Sequence, residues 1–122
     1  MLSGDRLLII EDVFLIALDI QRALEDANAL NPVFARDFDE AAGLMEQFDE
    51  FDLAIVNPPR RGTPEMEIAE RLAAAGPAIV VCTAAPIDLS GTGLMHAEMI
   101  SKPFRDEELL AACRRALDKR RR

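Results

Sequence analysis

A chain of 122 residues, half of them apolar and 30% charged, can bury a core without disulfides or structural metals, and it reads as one domain over residues 1–122. Its net charge of -8 argues against a nucleic-acid surface. No apolar stretch approaches the ~20 residues of a membrane span and no signal peptide precedes the first strand, so a cytoplasmic location is expected.

In chain order, Arg6 to Ile10 is dense in Leu and Ile without polar alternation, which predicts a strand buried on both faces of a parallel sheet. Glu11-Asp12 follow it. Ile16, Ile20, Ala23, Leu24 and Ala27 then recur at three- and four-residue steps, the signature of an amphipathic helix. Asn31 to Ala35 is a weaker, short strand after a turn signal. Asp39 to Met45 opens a second helix with carboxylates in its first turn, where the helix dipole favours them. Leu53 to Val56 predicts a third strand, ending at Asn57 and followed by Pro58-Pro59.

Thr63-Pro64-Glu65-Met66 reads as a helix start, with a hydroxyl cap and proline in the first turn. That helix is expected to run to about Ala75 and stop at Gly76-Pro77. Ala78 to Cys82 is a fourth strand, leading into Thr83. Pro86, Gly91 and Gly93 weaken any helix between Pro86 and His96, so a short or irregular element is expected there. Ala97 to Ile100 is a short fifth strand, followed by Ser101-Lys102-Pro103-Phe104. Arg105 to about Lys119 is a closing helix with Leu109, Leu110, Cys113 and Leu117 inward. Arg114, Arg115, Lys119, Arg120, Arg121 and Arg122 crowd the C-terminus, where cations complement the helix dipole and face solvent. Cys82 and Cys113 lack metal-ligand spacing and read as small buried hydrophobes.

Strands alternating with helices predict a doubly wound α/β fold, a five-stranded parallel sheet flanked by about five helices with the fourth short or irregular. Reaction sites in such sheets lie outside the carboxyl ends of the strands, and Glu11, Asp12, Asn57, Thr83 and Lys102 all fall on that edge. An acidic pair, a hydroxyl and a lysine make most of a phosphoryl-transfer site, but the nucleophile is missing. Each residue also has a plainer reading. Lys102 pairs structurally with Asp12, Thr83 bonds to backbone, His96 caps or faces solvent, and Asn57 is a turn residue before Pro58-Pro59. No glycine-rich phosphate loop and no nucleophile–base pair stand out, so a non-enzymatic protein is expected.

With these motifs in order, the chain resembles a response-regulator receiver domain of two-component signalling over essentially all of its length. The resemblance rests on Glu11-Asp12, Thr83 and the Lys102-Pro103-Phe104 step. It implies a five-stranded, five-helix fold in which Glu11 and Asp12 hold Mg²⁺. It places Thr83 as the hydroxyl that turns to a phosphoryl oxygen and Lys102 as the lysine that pairs with it. Asn57 falls on the aspartate that accepts the phosphoryl group from a histidine kinase. A carboxamide keeps the shape of a carboxylate but is a poor nucleophile, and it removes one negative charge from the metal site. No acyl phosphate at residue 57 and weak or absent Mg²⁺ binding are therefore expected. The loop Arg60-Arg61-Gly62 also departs from the family pattern, and Met99 takes the position of its aromatic switch residue.

Two functions follow from the resemblance. One is a phosphorylation-independent receiver that acts by protein–protein contact with a histidine kinase, another signalling protein or a second copy of itself, without nucleic acid or membrane. Its surface is expected on the last helix and the neighbouring irregular segment, with Leu94, Met95 and Met99 as apolar contacts. The other is a Mg²⁺-dependent phosphoacceptor held inactive by asparagine in place of aspartate. No output domain is expected after residue 122.

Overall fold

Three apolar runs without polar interruption set the architecture of this protein. The computed structural model describes residue 2, residues 4–29 and residues 31–120. Strands β1 (Leu7–Ile10), β3 (Leu53–Val56) and β4 (Ala78–Thr83) are buried along their whole lengths. The short strands β2 (Val33–Ala35) and β5 (Glu98–Ser101) are only partly covered. They form the two edges of one five-stranded sheet of order β2-β1-β3-β4-β5, with every pair parallel. Central strands read as continuous hydrophobic runs because both of their faces must be covered.

Alternate side chains of those strands supply two separate cores. Leu7, Ile9, Leu53, Ile55, Val80 and Cys82 point to one face, where α1 (Phe14–Asp26) and α4 (Asp106–Arg120) cover them with Ile20, Leu24, Leu109, Cys113 and Leu117. Leu8, Ile10, Ala54, Val56 and Val81 point to the other face. There α2 (Phe38–Ala42) and α3 (Pro64–Ala74) contribute Phe38, Ala41, Met66 and Leu72. Helices on both faces of a parallel sheet make the doubly wound fold that the alternating pattern predicted.

The second helix is shorter than its sequence suggested. Asp37 caps it by accepting a hydrogen bond from Glu40 N at 2.8 Å, and it ends at Gly43 after five residues. A 3₁₀ helix, Met45–Glu50, replaces its continuation and buries Phe48. Thr63 also departs from expectation. It occupies the N-cap position of α3, but its hydroxyl donates to Arg60 O at 2.6 Å and does not cap the helix. Pro64 still opens the helix, and Gly76, at φ 119°, turns the chain out of it.

No helix forms among residues 84–97, where turns and bends join β4 to β5. The segment is nonetheless fastened. Leu89 and Leu94 are buried in the core beside α3. The Arg61 guanidinium donates to Asp88 O at 2.9 Å and to Ser90 O at 2.8 Å, and Glu70 of α3 accepts from Gly93 N at 2.8 Å. A Cβ at Gly93 would lie 3.1 Å from Glu70 Cγ, so a side chain there would crowd the helix. Leu94 is thus a core residue, while Met95 and Met99 are exposed.

The basic residues of the last helix are largely engaged within the fold. Arg115 pairs with Glu98 at 2.7 Å, and Lys119 pairs with the other oxygen of the same carboxylate. Arg120 donates to Asp52 Oδ1 and to Gly76 O, each at 2.9 Å, tying α4 to the amino ends of β3 and β4. Arg121 and Arg122 lie outside the described residues. Among those described, no helix is long and apolar enough to cross a membrane.

Two outcomes follow. Burial pushes both thiols up to about 12, and Lys102 and Glu11 act on Cys82 in opposite directions. A disulfide exchange reagent at pH 8 should therefore leave Cys82 and Cys113 unreacted in the native protein, and both should titrate once denaturant is added. Glu98 is held below the usual carboxylate range, first by its hydrogen bond to Arg115 and then by that to Lys119. A carboxylate depressed in the folded state stabilises above its unfolded pKa and loses that contribution as pH falls through the folded value. Glu98→Gln should accordingly cost about 1 kcal/mol in urea unfolding at neutral pH and nothing in acid below that range.

Candidate functional site

The parallel register delivers the candidate residues to one edge. Each buried strand ends where its apolar run ends, and its ladder continues one residue further through the backbone. Glu11 N donates to Ala35 O at 3.1 Å, Asn57 N to Ile10 O at 3.0 Å, and Lys102 N to Thr83 O at 2.8 Å. The residues just beyond β1, β3 and β5 are thereby held side by side, although Glu11 and Lys102 are far apart in the chain.

The side chains of Glu11, Asp12, Asn57 and Lys102 form one network. Lys102 Nζ stands 2.7 Å from Glu11 Oε1 and donates to Asn57 Oδ1 at 2.9 Å. Asn57 Nδ2 donates to Glu11 Oε2 at 3.0 Å and to Asp12 Oδ1 at 2.8 Å. The orientation of the amide follows from its neighbours. An ammonium only donates and a carboxylate only accepts, so the carbonyl must face Lys102 and the NH₂ group the two acids. Glu11 Oε2 also accepts from Val13 N at 3.1 Å, so the same carboxylate fixes the entry to α1. The Glu11 side chain is 1% exposed and that of Lys102 17%. Glu11 Oε1 is buried without a hydrogen-bond partner among the described residues, so its contact with Lys102 is an ion pair and not a directed hydrogen bond.

Lys102 thus pairs with Glu11 and not with Asp12, which corrects the plainer reading of the sequence. Asp12 is exposed, and its carboxyl is held below the usual range. Hydrogen bonding with the adjoining Glu11 is the main cause, with the Asn57 amide and the Lys102 charge acting in the same direction.

Thr83 is buried at the carboxyl end of β4, but its hydroxyl donates to Ala85 O and accepts from Ala85 N at 3.3 Å. It is closed on its own turn and takes no part in the network. His96 is exposed, and its contribution is its carbonyl, which accepts from Lys119 at 3.3 Å. A cleft of about 240 Å³ opens beside Asn57, lined by Asp12, Arg36, Pro58, Arg60 and Glu65 among others. Arg61, which joins the loop after Asn57 to residues 88–90, was visible in the sequence only as a departure from pattern.

Glu11 and Asp12 are the two carboxylates that would hold a magnesium ion, which usually takes one or two carboxylates and several waters. Here the Asn57 NH₂ group donates to both of them and Lys102 stands against Glu11, so a cation would have to compete with an amide and an ammonium.

No protein-family model matches the sequence, and no curated protein does either. Solved structures do match. A receiver domain of an HD domain-containing protein from Pseudomonas fluorescens is 24% identical with a TM-score of 0.74, covering 96% of this chain and 97% of that one. A response regulator receiver protein from Sinorhizobium medicae is 19% identical with a TM-score of 0.76, covering 98% and 99%. The receiver domain of a modulated diguanylate cyclase from Desulfovibrio desulfuricans is 21% identical with a TM-score of 0.78, covering 96% of each chain. At these identities the likeness is one of fold. The chain has the receiver fold of response regulators.

Removing one partner of a buried pair strands the other charge. Lys102→Met should therefore lower the stability measured by urea unfolding by about 3 kcal/mol. A loss under about 1 kcal/mol would mean that water replaces the ammonium at Glu11.

Proposed function

We propose that this protein is a receiver-fold signalling module that works through protein contact, without phosphorylation at residue 57 and without Mg²⁺. The observation that carries the reading is the Asn57 amide, hydrogen-bonded to both acids on one side and to Lys102 on the other. A phosphoacceptor must offer a carboxylate lone pair to phosphorus while cations absorb the spreading charge. The carboxamide offers a neutral oxygen and a nitrogen whose lone pair is delocalised. The cation already present, Lys102, is shared between Glu11 and the Asn57 carbonyl.

On this reading Glu11, Asp12, Asn57 and Lys102 are a structural remnant of phosphoryl-transfer chemistry. Thr83 stands at the remaining position of that arrangement with its hydroxyl turned away. The module is non-catalytic and cytoplasmic, and its partner is a histidine kinase or another signalling protein. Related folds occur beside effector domains, as the HD domain-containing and diguanylate cyclase proteins indicate for themselves.

A second reading has its own support. Glu11, Asp12 and Lys102 already surround residue 57, so a single carboxylate there would complete a phosphoacceptor. The protein would then be a Mg²⁺-dependent response regulator with asparagine in place of the acceptor aspartate.

Intact mass after acetyl phosphate and Mg²⁺, run on this chain and on Asn57→Asp, separates the two. The first reading expects no phosphoryl adduct on the unmodified chain and a melting temperature that Mg²⁺ does not move. An adduct on Asn57→Asp alone, with a Mg²⁺-dependent rise in its melting temperature, would favour the second. An adduct at residue 57 of the unmodified chain would overturn the first.

A further inference from the structure

Six large apolar side chains are exposed among the described residues, and two of them, Phe14 and Phe34, line the same cleft. Phe14 and Leu15, in the first turn of α1, are 73% and 70% exposed, Val13 precedes them, and Phe34 on the edge strand β2 is 40% exposed. The inward stripe of α1 buries Ile20, Ala23 and Leu24 in the core, with Ile16 half-buried against it. A second stripe, Phe14, Ala17, Leu18 and Gln21, stands at i, i+3, i+4 and i+7 and lines a cleft of about 290 Å³ whose far wall is Phe34 and Ala35. The helix therefore has a second, largely apolar side that the fold covers only in part, with Ala17 and Leu18 half-buried and Phe14 exposed.

Electrostatics select what can cover the other. Residues 11–50 carry eleven acidic side chains and two basic ones, Arg22 and Arg36, while the whole chain has a net charge of -8. Both charge pairs at the cleft are internal, Arg36 with Glu40 and Lys102 with Glu11, and the exposed Asp12 at its end forms no ion pair among the described residues. A second copy of the chain would bring one acidic half against another, which disfavours self-association here.

We propose that the cleft between α1 and β2 is the docking groove for an amphipathic helix of a partner protein, with an apolar stripe bordered by Lys and Arg. This rests on the reading of the protein as an interaction module and names its partner's chemistry. It moves the contact surface from the last helix and the β4–β5 segment to the opposite edge of the sheet. Helix-in-groove recognition reads apolar anchors at one-turn spacing, and complementary charge steers the encounter.

The probe is a short peptide of Leu and Lys in an amphipathic helical pattern, with its Leu–Glu counterpart as control, titrated into ¹⁵N-labelled protein. The inference expects the lysine peptide to shift the amides of residues 13–21 and 33–36 and to bind more weakly as salt rises. It expects no response to the glutamate peptide. Phe14→Ser and Phe34→Ser, both at exposed positions, should each weaken binding about tenfold. Shifts scattered over the acidic surface and indifferent to either variant would overturn it, as would equal binding of both peptides or none. A concentration-dependent dimer abolished by Phe14→Ser would overturn it in favour of a second copy. Phosphate and Mg²⁺ are absent throughout, so failure here leaves the phosphorylation reading untouched, and a phosphoryl adduct at residue 57 leaves the groove untouched.

Discussion

Every feature of the candidate site depends on the parallel ladder through β1, β3 and β4. Parallel pairing puts the carboxyl ends of all strands on one edge, and the register fixes which residues meet there. Ile10 lies opposite Val56, Val56 opposite Val81, and Thr83 opposite Ser101. A one-residue slip in β3 would send Leu53 and Ile55 to the other core and take Asn57 away from Glu11. The two apolar cores enforce the register, so hydrophobic burial on each face positions four polar side chains that contribute little packing themselves.

Within that frame the polar network is a balance of charge in a place that tolerates little imbalance. Glu11 is buried and would be costly alone. Lys102 offsets its charge, and the amide of Asn57 supplies two N–H groups to the acids and one carbonyl to the ammonium. An amide can satisfy donors and acceptors at once, which neither an aspartate nor a metal ion could do in its place. The network holds together without an added ion, with Glu11 Oε1 left to its ion pair with Lys102 alone.

Much of this was legible in the sequence because the central strands have no amphipathic ambiguity. Leu-Leu-Ile-Ile, Leu-Ala-Ile-Val and Ala-Ile-Val-Val-Cys are too short for helices and too apolar for surface strands. Their ends therefore marked the edge on which Glu11, Asp12, Asn57 and Lys102 meet. Side-chain hydrogen bonding was less legible. Thr63 and Thr83 each had a hydroxyl where one was wanted, and each closes on a nearby carbonyl, a local choice that competes with capping or catalysis and leaves no mark on periodicity. The second helix starts where its first-turn carboxylates indicated, but those say nothing about its early stop at Gly43. Phe14 and Leu15 stood outside the apolar stripe of α1 in the sequence itself. That misfit was the available sign of a second face.

Pro58, directly after Asn57, has a consequence for the lifetime of the site. Asparagine ordinarily ages to aspartate when the next backbone nitrogen attacks the side-chain carbonyl and closes a five-membered imide with loss of ammonia. Pro58 has no N–H to lose, so that ring cannot close in its neutral form. The amide nitrogen that would have to leave is also held by two carboxylates. Residue 57 is thus protected from the slow chemistry that would hand the protein an acceptor carboxylate with age, and an old molecule keeps the same charge at this position as a new one.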